Sequence, residues 1–194
     1  MKIFKRFLAV LVLCVTLVAQ DLTTPEYVHA PLLLKIIKED AQMMKATSPV
    51  YNIAIVYDEE DDESLENQKR IQSFFEEQKI ALETVGLSIK THNVKFSSKG
   101  KFYADMDNKK IHLMYICSQI EEDVVKRIKF VSENLSILTL SGSEDIYEYG
   151  ASITVKLNDD DIPQLIMKKG SFQKERKALA IDYTKVANLS VEHP

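Results

Sequence analysis

Apolar positions along this chain fall into two rhythms, and their alternation predicts the fold. Behind Pro31, which suits a first helical turn, Leu32, Leu33, Ile36, Ile37, Ala41 and Met44 recur with a roughly helical period that ends before Ser48-Pro49. Tyr51 to Tyr57 (YNIAIVY) is short, β-branched and almost wholly apolar, as a strand covered on both faces must be. An acidic run, Asp58 to Glu63, follows it. Ser64 is then placed to cap a long helix with Leu65, Ile71, Phe74, Phe75 and Ile80 as its buried stripe. Leu87 to Phe96 alternates apolar and polar residues and predicts a more exposed strand.

The second half repeats the theme. Ser97 to Asn108 reads as a polar loop, Ile111 to Cys117 as a second buried strand, and Glu121 to Glu133 as a helix carrying Val124, Val125, Ile128 and Val131. Leu135 to Leu140 is a third buried strand, ending in the turn Ser141-Gly142-Ser143. Ala151 to Leu157 and Ile162 to Met167, joined through Asn158-Asp159-Asp160-Asp161, predict a hairpin flanked by Tyr147 and Tyr149. The tail from Phe172 to Leu189 reads as a helix. Buried strands alternating with helices imply a largely parallel sheet with helices on both faces. The expected fold is α/β: one three-layer α-β-α domain with a mostly parallel sheet and a C-terminal antiparallel hairpin.

The N-terminus changes where that domain is expected to work. Lys2, Lys5 and Arg6 precede an apolar run from Phe7 to Ala19, the layout of a secretory signal peptide. The run is shorter than the roughly 20 apolar residues of a spanning helix. Cleavage after Ala19 leaves residues 20–194 as the exported domain. An uncleaved anchor is the alternative, because Leu17 or Val18 stands three residues before the cut. A periplasmic location is the expectation.

Charge and cysteine content narrow the partners. Without the three leader cations, 22 basic residues face 29 acidic ones, a poor match for nucleic acid or anionic lipid. Cys117 is the single cysteine beyond the leader, so no internal disulfide is available, and its apolar setting predicts a buried thiol.

Catalytic constellations are hard to assemble from these residues. His29 precedes the first predicted helix, His193 adjoins the terminus, and His92 and His112 fall on strands away from clustered carboxylates. No HxH, HExxH or CxxC spacing supports a metal, and Ser141-Gly142-Ser143 lacks the leading glycine of a nucleophile elbow. Asp58-Glu59-Glu60 after the first strand would repel a phosphate, and the acidic run lacks the glycine and spacing of a calcium loop. A receiver domain is excluded because the strand Ile111 to Cys117 leads into Ser118-Gln119, where a phosphorylatable aspartate should stand. Neither an enzyme nor a cofactor is expected. Ligands of open α/β sheets sit at the C-terminal strand ends, which makes Tyr57, Asp58, Ser118, Ser141 and Gly142 the candidate ligand- or partner-binding residues.

The order of these segments resembles the YfiR family of exported bacterial regulators. The resemblance is carried by the helix PLLLKIIKEDA, the strand NIAIVY, the strand IHLMYIC, the strand end Leu138-Thr139-Leu140-Ser141, Gly150 before the hairpin, Ile166 and the final Val186-Ala187. The chain departs from the family where Ser48-Pro49 lacks a neighbouring tryptophan, Asp58 replaces a glycine, Tyr149-Gly150 keeps one glycine of a pair, and Met167 replaces an asparagine. The resemblance implies a periplasmic, non-enzymatic regulator, often a homodimer, that binds the outer part of an inner-membrane diguanylate cyclase or accompanies a sensor histidine kinase. A second resemblance competes with it. NIAIVYD before a long helix, together with LTLSGSEDIYEYGASITV, looks like one lobe of the solute-binding proteins that feed ABC transporters.

Overall fold

A computed structural model of the protein describes residues 26–44, 48–157, 160, 162–176 and 189–192. The leader, most of the Asn158 to Asp161 turn, and 177–188 lie outside the described residues, as does Val186-Ala187. The chain runs α1 (Glu26–Met44), β1 (Val50–Tyr57), α2 (Asp62–Thr84), β2 (Ser88–Lys95), α3 (Lys99–Asn108), β3 (Leu113–Ile116), α4 (Glu122–Leu135), β4 (Leu138–Ser141), α5 (Glu144–Tyr149), β5 (Ile153–Leu157), β6 (Pro163–Lys168), α6 (Lys169–Glu175) and β7 (Leu189–Glu192).

Among the described residues, seven strands form one sheet in the order β2-β1-β3-β4-β5-β6-β7. All neighbours pair in parallel except β5 and β6, the expected hairpin, in which Val155 pairs with Leu165. Side chains alternate across the strands, as a pleated backbone requires. Ile53, Ile55, Leu113 and Tyr115 face a core layer completed by Leu33, Ile36 and Ile37 of α1 and by Ile71, Phe75 and Leu82 of α2. Ala54, Val56, Met114 and Ile116 face the opposite layer, with Phe102 and Met106 of α3, Val125 and Ile128 of α4, and Ile146 of α5. The two clusters make the three-layer α-β-α architecture. Cys117 is buried in the first of them.

Several elements differ from expectation. α1 begins at Glu26, so His29 and Pro31 lie inside it rather than before it and at its start. Asp61, not Ser64, caps α2: its side chain accepts from the Ser64 amide at 2.7 Å, while the Ser64 hydroxyl accepts from the Asp58 amide. Ile80 is 74% exposed and Leu82 is buried in its place, because a 3.6-residue period from Ile71 and Phe75 reaches Leu82. The expected polar loop at Ser97 to Asn108 contains α3, and Tyr147 and Tyr149 lie on α5 instead of flanking the hairpin. Of the expected tail helix, α6 covers Phe172 to Glu175, residues 177–188 lie outside the described residues, and Leu189 opens strand β7, parallel to β6.

The end of the sheet opposite the C-terminal strand edge is tied by buried charge. Arg176 follows α6 and is 4% exposed; its Nε donates to Asp40 Oδ1 at 2.8 Å and its Nη2 to Asp40 Oδ2 at 2.6 Å. Arg176 also donates to the His112 carbonyl at 2.8 Å and to the Ser136 carbonyl. Tyr51 donates its hydroxyl to Asp40 and stacks on His112 with ring centroids 5.1 Å apart. Beside this clasp Glu175 is fully enclosed, accepting from the Thr139 amide at 3.0 Å, the Thr139 hydroxyl at 2.6 Å and the Ser132 hydroxyl at 2.9 Å.

Candidate functional site at the C-terminal strand edge

The strand order reverses at β1: β2 lies on one side of it and β3 on the other. Loops leaving two such strands diverge to opposite faces and open a crevice at their C-terminal ends. In this protein the crevice is a groove of about 280 Å³, walled by Tyr57 and Asp58 from the end of β1, Phe96 just past β2, and Ile120, Glu121 and Val124 around the start of α4.

Local chemistry builds each wall. The Asp58 carboxylate accepts from the Glu60 amide at 2.9 Å, closing a tight turn, and Asp61 then caps α2. The acidic run is thus a helix-starting loop. Across the groove Lys95 pairs with Glu59 at 2.5 Å, and that hydrogen bond, before the charge itself, raises the Lys95 pKa. Gln119 adopts a left-handed conformation (φ 59°) and its side-chain amide donates to Glu63 at 3.1 Å, anchoring the β3–α4 loop against the start of α2. Phe96 packs on Phe102, centroids 5.1 Å apart. Glu121 holds the N-cap position of α4 but makes no side-chain capping bond.

A second hollow, about 240 Å³, lies next to the first and shares Ile120 and Glu121 with it; Ser143, Asp145 and Tyr149 form its far wall. The start of α4 is therefore a ridge between two shallow depressions.

The structure brings Tyr57 and Asp58 to the groove and leaves the other candidates in the fold's interior. Ser118 is 6% exposed and gives its amide to Asn67 of α2 at 3.3 Å. Ser141 is fully buried; its hydroxyl donates to the Ile116 carbonyl at 2.7 Å and accepts from the Ser143 amide at 3.1 Å. Gly142 is buried and lines neither hollow. These residues shape the strand ends from inside.

Sequence reasoning missed Glu60, Phe96, Ile120, Glu121, Val124 and Tyr149. Each stands within a few residues of a strand end or helix start on this edge, so the strand-end rule would have reached them had the neighbouring strands and helices been searched as closely as β1. Among the described residues, no group of three or more histidine, cysteine or carboxylate side chains is arranged to hold a metal ion.

No protein-family model matches the chain, and no curated protein matches it. Solved structures similar to it include an ABC domain in complex with L-Trp from Streptococcus pneumonia (TM-score 0.48, 14% identity, covering 79% of this chain and 60% of that one). Another is a conserved domain protein from Vibrio cholerae (TM-score 0.46, 12% identity, covering 80% and 59%). A third is the ligand-free, open form of a substrate-binding protein with adhesive properties from Clostridium difficile (TM-score 0.49, 12% identity, covering 80% and 59%). The chain spans about three fifths of the length of each of these structures.

Proposed function

We propose that this protein is an exported, non-enzymatic regulatory module of the YfiR type, which acts by contact between its C-terminal strand edge and the outer domain of a membrane sensor such as a diguanylate cyclase or histidine kinase. One observation carries the reading. The edge offers two open, shallow hollows with half-buried aromatic and aliphatic walls, separated by a ridge that a partner surface can straddle. Pockets that enclose small molecules usually measure roughly 300–1,000 Å³, and each hollow falls below that range. The Ser141 hydroxyl is engaged within the fold, by the Ile116 carbonyl and the Ser143 amide, which leaves the contact surface to other side chains. The basic and apolar leader supports delivery across the membrane.

Cross-linking in whole cells, followed by identification of captured membrane proteins, tests this. Wild-type protein is expected to capture a sensor with an extracytoplasmic domain, and a form lacking residues 1–19 is expected to capture none. Capture of cytoplasmic proteins alone overturns the reading. Small-molecule binding is the second reading, favoured by the place of the groove at the reversal of strand order. A metabolite that raises the melting temperature of the purified protein, with no sensor captured, would establish it instead.

A further inference from the structure

We infer that Glu175 and the hydroxyls that enclose it form a proton-operated latch. With its proton the carboxyl holds the end of α6 against α4 and β4; without it that end opens while the sheet stays folded. The latch does not depend on the partner reading above. α6 is less than two turns long, and so short a helix has no stability of its own. Lys168 gives it no side-chain cap, and Phe172 is its one buried apolar side chain. Glu175 then fixes its last turn, through the Thr139 amide and hydroxyl of β4 and the Ser132 hydroxyl of α4.

The cluster is arranged around a neutral carboxyl. The Thr139 hydroxyl accepts from the Ser152 amide at 2.9 Å and gives its one hydrogen to Glu175 at 2.6 Å. The Ser152 hydroxyl is buried beside them and makes no hydrogen bond among the described residues, although an ionised carboxylate would draw it in. Charged groups on the packed elements are engaged elsewhere. α4 brings Lys129 and Glu133, α6 and the residue after it bring Lys174 and Arg176, β6 brings Lys168, and the clasp brings Asp40 and His112. Lys174 lies 3.6 Å from Glu133, Arg176 is held by Asp40, and Lys168 donates to the Tyr147 carbonyl at 2.6 Å. Among the described residues none of these charges acts on the carboxyl. Burial does, and it outweighs the hydroxyls and the Thr139 amide, raising the Glu175 pKa from 4.5 to about 7. Once the end of α6 opens, the carboxyl meets water and returns to its ordinary value. Opening therefore releases a proton between about pH 4.5 and pH 7, and rising pH favours it.

Amide hydrogen exchange of the purified protein, corrected for the intrinsic pH dependence of exchange, tests the latch. Two amides report on it: Arg176, which donates to the Phe172 carbonyl at 2.9 Å, and Thr139, which donates to Glu175 itself. Both are expected to exchange through an opening more frequent than the global unfolding that β1 and β3 report. Their opening constant should rise about tenfold per pH unit between about pH 5 and pH 7. In Glu175→Gln, which keeps a neutral group in the same place, that slope should vanish. Exchange of the Arg176 amide as slow as that of β1 and β3, or an equal slope in the variant, overturns the latch. The carboxyl carbon resonance of Glu175 in the wild type needs no variant. A titration midpoint near neutrality supports the latch, and one near the ordinary value of 4.5 overturns it. Both readouts are independent of the cross-linking, so loss of sensor capture strikes the partner reading alone.

Discussion

Glu175 is the residue whose surroundings and charge are most at odds. It is fully enclosed, and burial raises its pKa from 4.5 to about 7 against the opposing hydrogen bonds from Thr139 and Ser132. The geometry agrees with a retained proton. The Ser132 hydroxyl has one hydrogen and two acceptors, the Lys129 carbonyl at 2.8 Å and Glu175 at 2.9 Å. A proton on Glu175 lets Ser132 accept from the carboxyl while donating to Lys129. The unfolded chain releases this proton near 4.5 and the folded chain near 7, so the stabilisation is complete below about pH 4.5 and is lost as pH rises towards 7. The shift corresponds to a loss on the order of 3 kcal/mol. His112 works in the opposite sense. Burial and then the Arg176 guanidinium lower its pKa, and its Nδ1 accepts from the Asn52 amide at 2.9 Å, so its contribution is lost as pH falls below 6.5. Glu175→Gln keeps a neutral group with a donor in the same place. Urea midpoints measured across the acid-to-neutral range should decline more steeply with rising pH in the wild type than in this variant. Parallel profiles would mean that Glu175 titrates in the folded chain as it does in the unfolded one.

At the scale of elements, three helix exits share one backbone device with different residues. α2 ends with Leu87 donating to the Leu82 carbonyl at 3.0 Å and Gly86 to Glu83 at 2.9 Å, and Gly86 takes the left-handed turn at φ 76°. α3 and α4 close in the same way through Ile111 to Met106 and Ile137 to Ser132, but Lys110 and Ser136 occupy the left-handed position. A side chain there crowds the following carbonyl, whereas glycine does not. Gly86→Ala should therefore cost about 1 kcal/mol and Ser136→Gly should add about 0.5 kcal/mol, both read as shifts of denaturant midpoint. A Gly86→Ala variant as stable as wild type would show that the turn is not under this constraint. The same scale shows what the sequence revealed. β1 and β3 are legible because strands covered on both faces have almost no polar residues. α3 was not: in ten residues it buries only Phe102 and Met106, a pair four apart that a polar average hides, although Ser98 marks its N-terminus. α5, with six residues, is shorter than two turns and carries no period to detect. At the groove, Tyr57 and Asp58 were legible as the end of the first buried strand. Glu121 and Phe96 were not, because the depression depends on how neighbouring loops diverge, and that follows from strand order rather than from local pattern.

For the whole molecule, the long-range clasp ties α1 to the residue that follows α6. Asp40 on α1 and Arg176 beyond α6 are 136 residues apart, and no sequence period announces that two charges so distant will be buried together. Desolvating them is costly, and it is balanced by a bidentate pair, the Tyr51 hydroxyl and the carbonyls of His112 and Ser136. Removing one partner strands the other in the interior, so Arg176→Met should destabilise by about 3–5 kcal/mol. The combined Asp40→Leu/Arg176→Met variant should recover part of that loss, because it buries no lone charge. Amide exchange locates the effect. In the wild type, β1 and β3, flanked by strands on both sides and covered by both core layers, should exchange slowest, and the edge strand β2 faster. In Arg176→Met, protection should fall first in α1 and α6 while β1 and β3 keep theirs, since the clasp joins these helices to the sheet without forming part of it. Uniform loss of protection across the sheet would instead make the ion pair a requirement of the global fold, and unchanged protection in α1 would remove it from any role in holding that helix.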